Sequence, residues 1–536
     1  MKVTYKITYL ILIIAFVGCS EDVLIKADIP PHLSSAGVVF STQEGFESAL
    51  VGLNEFVKYE FAGDMRYGAG IASPNFPPLD YWMAGTDDGF QANGNPVQEH
   101  FMLTNWDRVQ SQIGAFGIMW DWLYQTINSA NTIIDRATVA DLVWTDEERD
   151  AVIGEARLFR AWAYRHLTYL FGDVPLVLSE TTGVKDDFTR SPVAEIYNVM
   201  SADLKFAEQA MDNVPKIDGR PSAAVAKHYL AELLVLTGDY MNAIVKADEV
   251  INDPNYSLVT SRFMDIFDIP LRADGNSESL WTLTYDSTDP SGRHHATVRW
   301  FNTNLDNTGL NEARVENGGN GLIRIAMTSN ALRNYDLDGN GLLDDDDRAN
   351  PEAIRANWIN ADGTVAFVAT SDWVTVDEET IQPAGDANRM NRWPVTRKYE
   401  SYDPNNTSLN AAQARSFKDL VYLRLAETIC LKAEAQARNG DVLGAATTLN
   451  ALRNRANAPL LISADIDDVL DERSRELWGE DKRRYTLLRH NKWLERTRLF
   501  NVSASGTIQD FHKLYPIPHN VIDANFGAII RQNPGY

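Results

Sequence analysis

Twelve residues that begin at Asp336 have the spacing of a calcium-binding loop. Side-chain oxygens fall at the first, third, fifth, ninth and twelfth positions, a glycine at the sixth permits a sharp turn, and the seventh would offer its backbone carbonyl. An aspartate replaces the usual glutamate at the last position. The alternative is an acidic turn without an ion, but its aspartates would repel one another without a cation. We therefore expect a structural Ca²⁺ held by Asp336, Asp338, Asn340, Leu342, Asp344 and Asp347.

Two regions rich in glycine, proline and polar residues, 62–105 and 255–400, carry side chains of the kinds that bind sugars. A flat aromatic face packs on the C–H face of a sugar ring, while amides, carboxylates and guanidinium groups bond its hydroxyls. Loops held by a rigid body commonly carry such sites, although each aromatic could instead anchor its loop to that body. The candidates are Arg66, Tyr67, Tyr81, Trp82, Asp87, Asp88 and Asn93 in the first region and Tyr285, His294, Arg299 and Trp300 in the second.

The motifs of common enzyme classes are absent from the sequence. It has no Gly-x-Ser-x-Gly elbow, His-Glu-x-x-His zinc helix or Walker loop. The adjacent His294 and His295 would point apart on regular structure, so they make a poor metal pair. A glycosidase pair of carboxylates stays open as an alternative, because the chain has 74 acidic residues from which one could form. We predict a protein that is not an enzyme and has no organic cofactor.

The charge of the chain excludes one class of partner. Its 536 residues include 49 basic and 74 acidic side chains, which give a net charge of −25. That field repels phosphate backbones, so nucleic acid is not an expected partner. A neutral ligand such as a glycan is compatible with it.

The first residues have the form of an export signal. Two lysines and a short apolar run precede Phe16-Val17-Gly18-Cys19, which resembles a bacterial lipobox. The run is too short to span a bilayer. We expect residues 1–18 to be a lipoprotein signal peptide, Cys19 to carry the lipid, and residues 19–41 to form the anchor and tether. A plain secretory leader with an incidental cysteine is the alternative. The acidic Ser20-Glu21-Asp22 after the cysteine favours an outer-membrane location that faces the cell exterior.

Helical periodicity dominates the remainder, residues 42–536, which we expect to form one mainly α domain. Apolar residues recur at helical spacing within two scaffold regions, 110–252 and 415–498, and at 42–61, whereas short strand-like runs such as 279–283 occur in the loop-rich middle. Gly238-Asp239 and Gly440-Asp441 each follow an Ala-Glu pair at the same distance, and Gly172-Asp173 ends a looser copy. Glycine allows a left-handed turn and aspartate caps the next helix. The pattern predicts tetratricopeptide-type helix pairs, with coincidental Gly-Asp turns as the alternative.

Several motifs in a fixed order carry a family resemblance. They are EARLFRAWAY at 155–164 with FGDVPL at 171–176, YLRLAE at 422–427 with NALRNRA at 450–456, ERSREL at 472–477 with KRRY at 482–485, and a tail of YPIP at 515–518 and QNPGY at 532–536. With the lipobox, the chain strongly resembles the SusD/RagB family of outer-membrane nutrient-binding lipoproteins of Bacteroidetes.

This resemblance implies a fold, a partner and a role. The family has a helical scaffold with tetratricopeptide units, and its members act without catalysis as the surface lid of a SusC-like, TonB-dependent transporter. They capture oligosaccharides or peptides, generally on variable loops from an early and a middle part of the chain. We expect a glycan ligand, with a peptide ligand, a surface glycoside hydrolase and a pure protein-interaction scaffold as alternatives. The arginines of the shared motifs are expected to pair with carboxylates of the scaffold, and Trp106, Trp120 and Trp122 to be core.

Overall fold

A computed structural model describes most of the chain, namely residues 39–61, 80–92, 102–288, 294–310, 312–341, 343, 345–369, 390–401 and 416–536. Among the predicted lipidation, ligand and metal residues, six lie outside these ranges: Cys19, Arg66, Tyr67, Asn93, Leu342 and Asp344. Within the described ranges, no helix is both long and apolar enough to cross a membrane.

Helices form the body of the protein. Those before the middle region are α1 (Gln43–Lys58), α2 (Asp80–Met83), α3 (Gly114–Val139), α4 (Asp146–Phe171), α5 (Val193–Ala210), α6 (Ala223–Thr237) and α7 (Tyr240–Ile251). The middle region adds the short α8 (Asp265–Asp268), α9 (Thr297–Phe301) and α10 (Ser329–Arg333). The last part contains α11 (Leu425–Arg438), α12 (Val442–Arg455), α13 (Ile466–Leu477), α14 (Arg483–Arg489), α15 (Trp493–Phe500), α16 (Val502–Ser505) and α17 (His519–Ala524). The predicted mainly α class is confirmed.

The predicted Gly-Asp turns join helix pairs. Gly238 has a φ of 84° and Gly440 a φ of 85°, a left-handed conformation that favours glycine. Asp239 accepts a hydrogen bond from the backbone N–H of Asn242, and Asp441 accepts one from Gly444, so each aspartate caps the helix that follows it. In the looser copy, Asp173 Oδ1 instead accepts from the backbone N–H of Val193, at the start of α5.

Small residues let the paired helices approach closely. Ala243 and Ala247 of α7 are fully enclosed against Ala231 of α6 and Leu431 of α11. Consecutive helices from α3 to α7 pack on one another, and α11 packs on α7, α12 and α13. This continuous stack of tetratricopeptide-type pairs is the scaffold that the repeat predicts.

Short antiparallel strand pairs order the middle region, and one of them joins it to the residues that lead into α11. In the described residues they are β1 (Gly89–Gln91) with β3 (Ile325–Met327), β2 (Ser279–Leu283) with β8 (Leu420–Arg424), β4 (Ile354–Arg355) with β7 (Val395–Thr396), and β5 (Asn357–Ile359) with β6 (Val365–Val368). The strand predicted at 279–283 is therefore confirmed as β2. The helix predicted from residue 415 begins only at Leu425, because the residues before it pair with β2.

A buried network of arginines and carboxylates surrounds α13. Arg348 contacts Glu472 at 2.7 Å and Glu476 at 3.0 Å, and Arg424 contacts Glu278 at 2.6 Å and Glu476 at 2.5 Å. These side chains are almost wholly enclosed. The expected pairing is confirmed for the arginines of the family motifs except Arg484, whose guanidinium stacks on Trp493 and Tyr515 and donates to a backbone carbonyl. The motifs therefore specify the scaffold.

Acidification is expected to destabilise the protein through this network. Burial alone would raise the pKa of Glu472, but the charges of Arg348, Arg475 and Arg453 outweigh it and lower the pKa to about 2. An unfolded glutamate titrates near about 4.3, so this carboxylate adds about 3 kcal/mol to the free energy of unfolding at neutral pH. That contribution is lost as the pH falls from about 4.3 towards about 2.

Urea unfolding of the protein measured at neutral pH and at about pH 3 tests this expectation. The urea midpoint should fall steeply below about pH 4, whereas Glu472→Gln should show a shallower fall because it lacks the titrating group. Equal midpoints for the native protein at both pH values would contradict the expectation.

Candidate functional site

Backbone hydrogen bonds join parts of the early and middle loop-rich regions. β1 pairs with β3, and the backbone N–H of Ala92 donates to the carbonyl of Arg324 at 2.9 Å. The N–H of Ala296 donates to the carbonyl of Phe61 at 3.1 Å, at the end of the first described segment. We call residues 89–92, 285, 294–302 and 320–327 the loop face. It unites parts of both regions that the sequence analysis assigned to ligand binding.

Trp82 and Trp300, the two tryptophans that the sequence analysis proposed for stacking on a ligand, are buried. Trp82 and Trp300 each have an exposed fraction of 0%. The ring of Trp82 lies 5.2 Å from that of His166, and the guanidinium groups of Arg299 and Arg324 lie 5.4 and 5.5 Å from the ring of Trp300. An enclosed ring offers no face to a sugar. The structure thus corrects the sequence prediction, since both indoles act as anchors between loop and body.

Asp87 and Asp88 are also scaffold residues in this structure. Asp87 receives two hydrogen bonds from Arg483, both 2.7 Å, and one of 2.6 Å from Arg496. Burial opposes ionisation of Asp87, but the charges of these arginines lower its pKa to about 2. Burial, together with the neighbouring charge of Asp87, raises the pKa of Asp88 to about 7 despite the opposing charge of Arg483. Both carboxylates are engaged with the last helices, so their prediction as ligand contacts is corrected.

Tyr81 and Arg299 occupy buried positions as well. The Tyr81 ring packs edge-on to Phe116 and Tyr515, at centroid distances of 5.9 and 6.0 Å. Arg299 has an exposed fraction of 5% and stacks on Trp300. Their sequence-based assignment as ligand contacts is corrected for the same reason as that of the tryptophans, because little of either side chain meets solvent.

Two of the predicted contacts keep part of their surface exposed. Tyr285 is half-buried, and the Lys58 ammonium lies 5.2 Å from its ring centroid. His294 is half-buried, with its ring 6.1 Å from that of Phe417. The neighbouring His295 is enclosed, bonds Thr297 and the carbonyl of Lys418, and has its pKa lowered by burial to about 3. Only His294 of this pair is therefore presented to solvent.

Polar groups that sequence reasoning missed lie beside β3. Gln91 Oε1, Trp300 Nε1 and Asn320 Nδ2 are buried atoms that find no hydrogen-bond partner within the described part of the chain. Buried polar atoms are normally satisfied by protein, water or a ligand. No local sequence signal marks these three atoms, because contacts between distant parts of the chain decide whether a side chain is buried.

The acidic loop at Asp336 brings three carboxylates together. Oxygens of Asp336, Asp338 and Asp345 lie within 4.8 Å of one another, and Gly341 has a φ of 81° at the predicted sharp turn. Asn340 lies beside them and donates to Asp338 at 2.9 Å. Asp347, predicted as the final ligand, instead accepts a hydrogen bond from Asn457, and Asp345 takes a place in the cluster.

The donor set of this cluster fits a hard cation. Asp336 Oδ1 is buried and has no hydrogen-bond partner among the described residues, whereas its other oxygen accepts from the backbone N–H of Gly341 at 2.9 Å. Carboxylate and amide oxygens are the ligands that Ca²⁺ prefers. The cluster joins directly to the buried network, since Asp346 pairs with Arg348.

Comparison of the sequence with known families finds two matches. Residues 277–536 match the SusD family, and residues 86–234 match a SusD-like family described as starch-binding and associating with the outer membrane. Residues 277–536 therefore belong to the SusD family, and residues 86–234 resemble a related SusD-like family. The matches cover the second helical scaffold region, the first one as far as residue 234, and the residues of the loop face.

Relatives and solved structures agree with this assignment. SusD-like protein P2 of Formosa agariphila is 28% identical over 52% of this chain and 53% of its own length, so that match spans about half of the relative. SusD-like protein P25 of the same organism is 24% identical over 98% of this chain and 97% of its own length. A solved surface glycan-binding protein A of Bacteroides thetaiotaomicron, in complex with laminarihexaose, superposes with a TM-score of 0.71 at 18% identity, covering 92% of this chain and 99% of its own. At that identity the similarity establishes the SusD-like fold.

Proposed function

We propose that this SusD-family protein is a non-catalytic glycan-binding lipoprotein of the cell surface that passes its ligand to a SusC-like, TonB-dependent transporter. The observation that carries the proposal is the SusD-family match on both sides of a loop face on which Tyr285 and His294 keep part of their surface exposed. Several proteins with the same fold have glycan binding in their names, including a laminarin-binding SusD-like protein with a TM-score of 0.70.

A neutral glycan suits this surface better than an anionic ligand. The chain carries a net charge of −25, which disfavours anions over the whole molecule. The partly exposed rings of Tyr285 and His294 can pack on sugar C–H faces. Ligand contacts from the early region would come from Arg66, Tyr67 and Asn93.

Attachment to the outer membrane is part of the proposal. The description of one matching family includes association with the outer membrane. A lipid on Cys19 would supply this attachment for a chain whose described helices do not span a bilayer. The lipid would leave residues 42–536 free to face the cell exterior.

Native electrophoresis through gels that each contain one polysaccharide tests the proposed binding. A panel of marine, plant and host glycans should include a polymer that retards the protein and is recovered intact afterwards. Shortened products would instead favour a glycoside hydrolase. Retardation by no polymer, combined with binding of peptides, would favour the peptide-binding alternative and contradict the glycan proposal.

We further propose that Ca²⁺ binds the Asp336 cluster and stabilises the loop beside Arg348. Ca²⁺ added to metal-free protein is expected to raise the melting temperature, because the ion binds the folded state and relieves repulsion among three carboxylates. Asp336→Asn with Asp338→Asn should abolish that rise. The matched control is Asp510→Asn, an exposed aspartate outside the cluster, which should keep it. An unchanged melting temperature of the native protein across the titration would contradict the site.

A further inference from the structure

A second concave site lies among the helices, and it shares no residue with the loop face. The cavity has a volume of about 560 Å³ and lies between α3, residues 175–188 and α17. Sites for small ligands typically have volumes of about 300–1,000 Å³. The sequence analysis assigned the α3 tryptophans to the core, and Trp120 is indeed 5% exposed, yet it also lines this cavity.

The cavity has an aromatic wall held in a fixed position. Trp120 and Tyr124 are one turn apart on α3, with ring centroids 5.0 Å apart. The Tyr124 hydroxyl donates to the carbonyl of Pro175 at 2.8 Å, and Trp120 packs edge-on to Phe171 at 5.2 Å. Neither ring can turn without breaking these contacts, so the wall is already ordered before a ligand arrives.

Side-chain amides surround this wall. Gln125 and Asn520 line the cavity, are exposed, and make no side-chain hydrogen bond within the described residues. Asn520 approaches α3 closely because residue 117 is a glycine, where an added Cβ would lie 3.0 Å from Asn520 Oδ1. Amide groups both donate and accept, so they match sugar hydroxyls, which do the same.

The opposite wall is tied to α17. Asn525 accepts from the backbone N–H of Phe188 at 2.8 Å and donates to its carbonyl at 2.9 Å. Asn128 of α3 accepts from the backbone N–H of Thr181 at 2.8 Å. These bonds fix residues 181–188 against both helices. A ligand would therefore enter a preformed site and would not need to order it.

The charge of the lining favours a neutral ligand. Its charged side chains are one aspartate, Asp121, and one lysine, Lys185. Lys185 lies over the Phe188 ring at 5.0 Å and within 3.9 Å of Asp187. A purely apolar ligand would leave the amides of the lining unpaired, and an anion would meet the net negative field of the protein.

We propose that this cavity is a second carbohydrate site, which takes a neutral oligosaccharide with one sugar ring on the Trp120–Tyr124 wall. The class of ligand rests on the proposed glycan-binding function, whereas the location rests on the cavity itself. Two separate sites would let the protein hold one glycan chain at two points or two chains at once, and so raise its avidity for a polymer.

Isothermal titration calorimetry tests this proposal. The ligands are laminarihexaose, maltohexaose and a hexasaccharide from any polymer that retards the protein. Ala524→Trp places an indole into the cavity from exposed α17, and Gln125→Ala with Asn520→Ala removes the amides without adding bulk. Val184→Trp is the matched control, because Val184 is fully exposed and does not line the cavity. His294→Ala separately weakens the loop face.

The proposal predicts two binding events for the native protein and for Val184→Trp. The variants of the cavity should lose the binding event that occurs in the cavity. His294→Ala should keep that event. If the cavity variants titrate as the native protein does and only His294→Ala loses binding, the cavity proposal is wrong and the proposed function stands. Absence of binding by the native protein to every hexasaccharide and every polymer would overturn both.

Discussion

Replacement of Arg348 by methionine is expected to lower the free energy of unfolding by about 3–5 kcal/mol, the range found when one partner of a buried ion pair is removed. The guanidinium and its three carboxylate partners, Asp346, Glu472 and Glu476, are all fully enclosed. The methionine would fill similar space but leave these carboxylates with fewer opposite charges. Glu472 would keep Arg475 and Arg453, whereas Asp346 would lose the only ion-pair partner that it has among the described residues.

Urea unfolding of Arg348→Met at neutral pH measures this effect, and Arg262→Met provides the control. Arg262 also contacts three carboxylates, but its side chain is 55% exposed. Exposed pairs of this kind contribute about 0–1 kcal/mol, so its midpoint should barely move. Equal effects of the two substitutions would contradict a stabilising role for the buried arginine–carboxylate network around α13.

Replacement of Trp300 by alanine is expected to cost about 3–5 kcal/mol of unfolding free energy, as for other large-to-small substitutions of enclosed aromatic residues. The indole is 0% exposed and lies between two guanidinium groups. Removal of the indole should weaken the packing of both α9 and β3. Any loss of glycan binding by this variant should therefore accompany a fall in the melting temperature.

Trp300→Phe distinguishes a role of the indole in packing from a role in contacting the ligand. Phenylalanine keeps most of the packing, so this variant should recover most of the stability lost with alanine, and glycan affinity should recover with it. A Trp300→Ala protein with an unchanged melting temperature and no glycan affinity would instead show that the ring contacts the ligand, as its sequence position first indicated.

The scaffold could be predicted because its determinants are local. Gly238-Asp239 and Gly440-Asp441 determine a turn and a helix cap within a few residues, and the small side chains that follow determine close packing. Periodicity and capping therefore predicted the helical order without knowledge of the tertiary contacts.

The candidate sites depend on contacts between distant parts of the chain. Whether Asp87 faces a ligand or an arginine is decided by Arg483, and whether Trp300 is exposed is decided by the packing around Arg324 and β3. Composition alone cannot distinguish residues that bind a sugar from residues that anchor a loop, because both groups contain the same residue types. The α3 cavity is the converse case, since helical spacing assigns Trp120 to the core but cannot show which turn of α3 the neighbouring segments leave uncovered.

The central claim is that the protein binds a neutral glycan on the loop face. The most direct measurement is titration of the polymer identified by gel retardation into native protein and into Tyr285→Ala with His294→Ala, with Val184→Ala as an exposed control outside the loop face. The account predicts that the double variant, still folded at the temperature of the titration, binds at least about tenfold more weakly, a loss of about 1.4 kcal/mol, while the control binds as the native protein does. Equal affinity of all three proteins, or no binding of any glycan by the native protein, would contradict it.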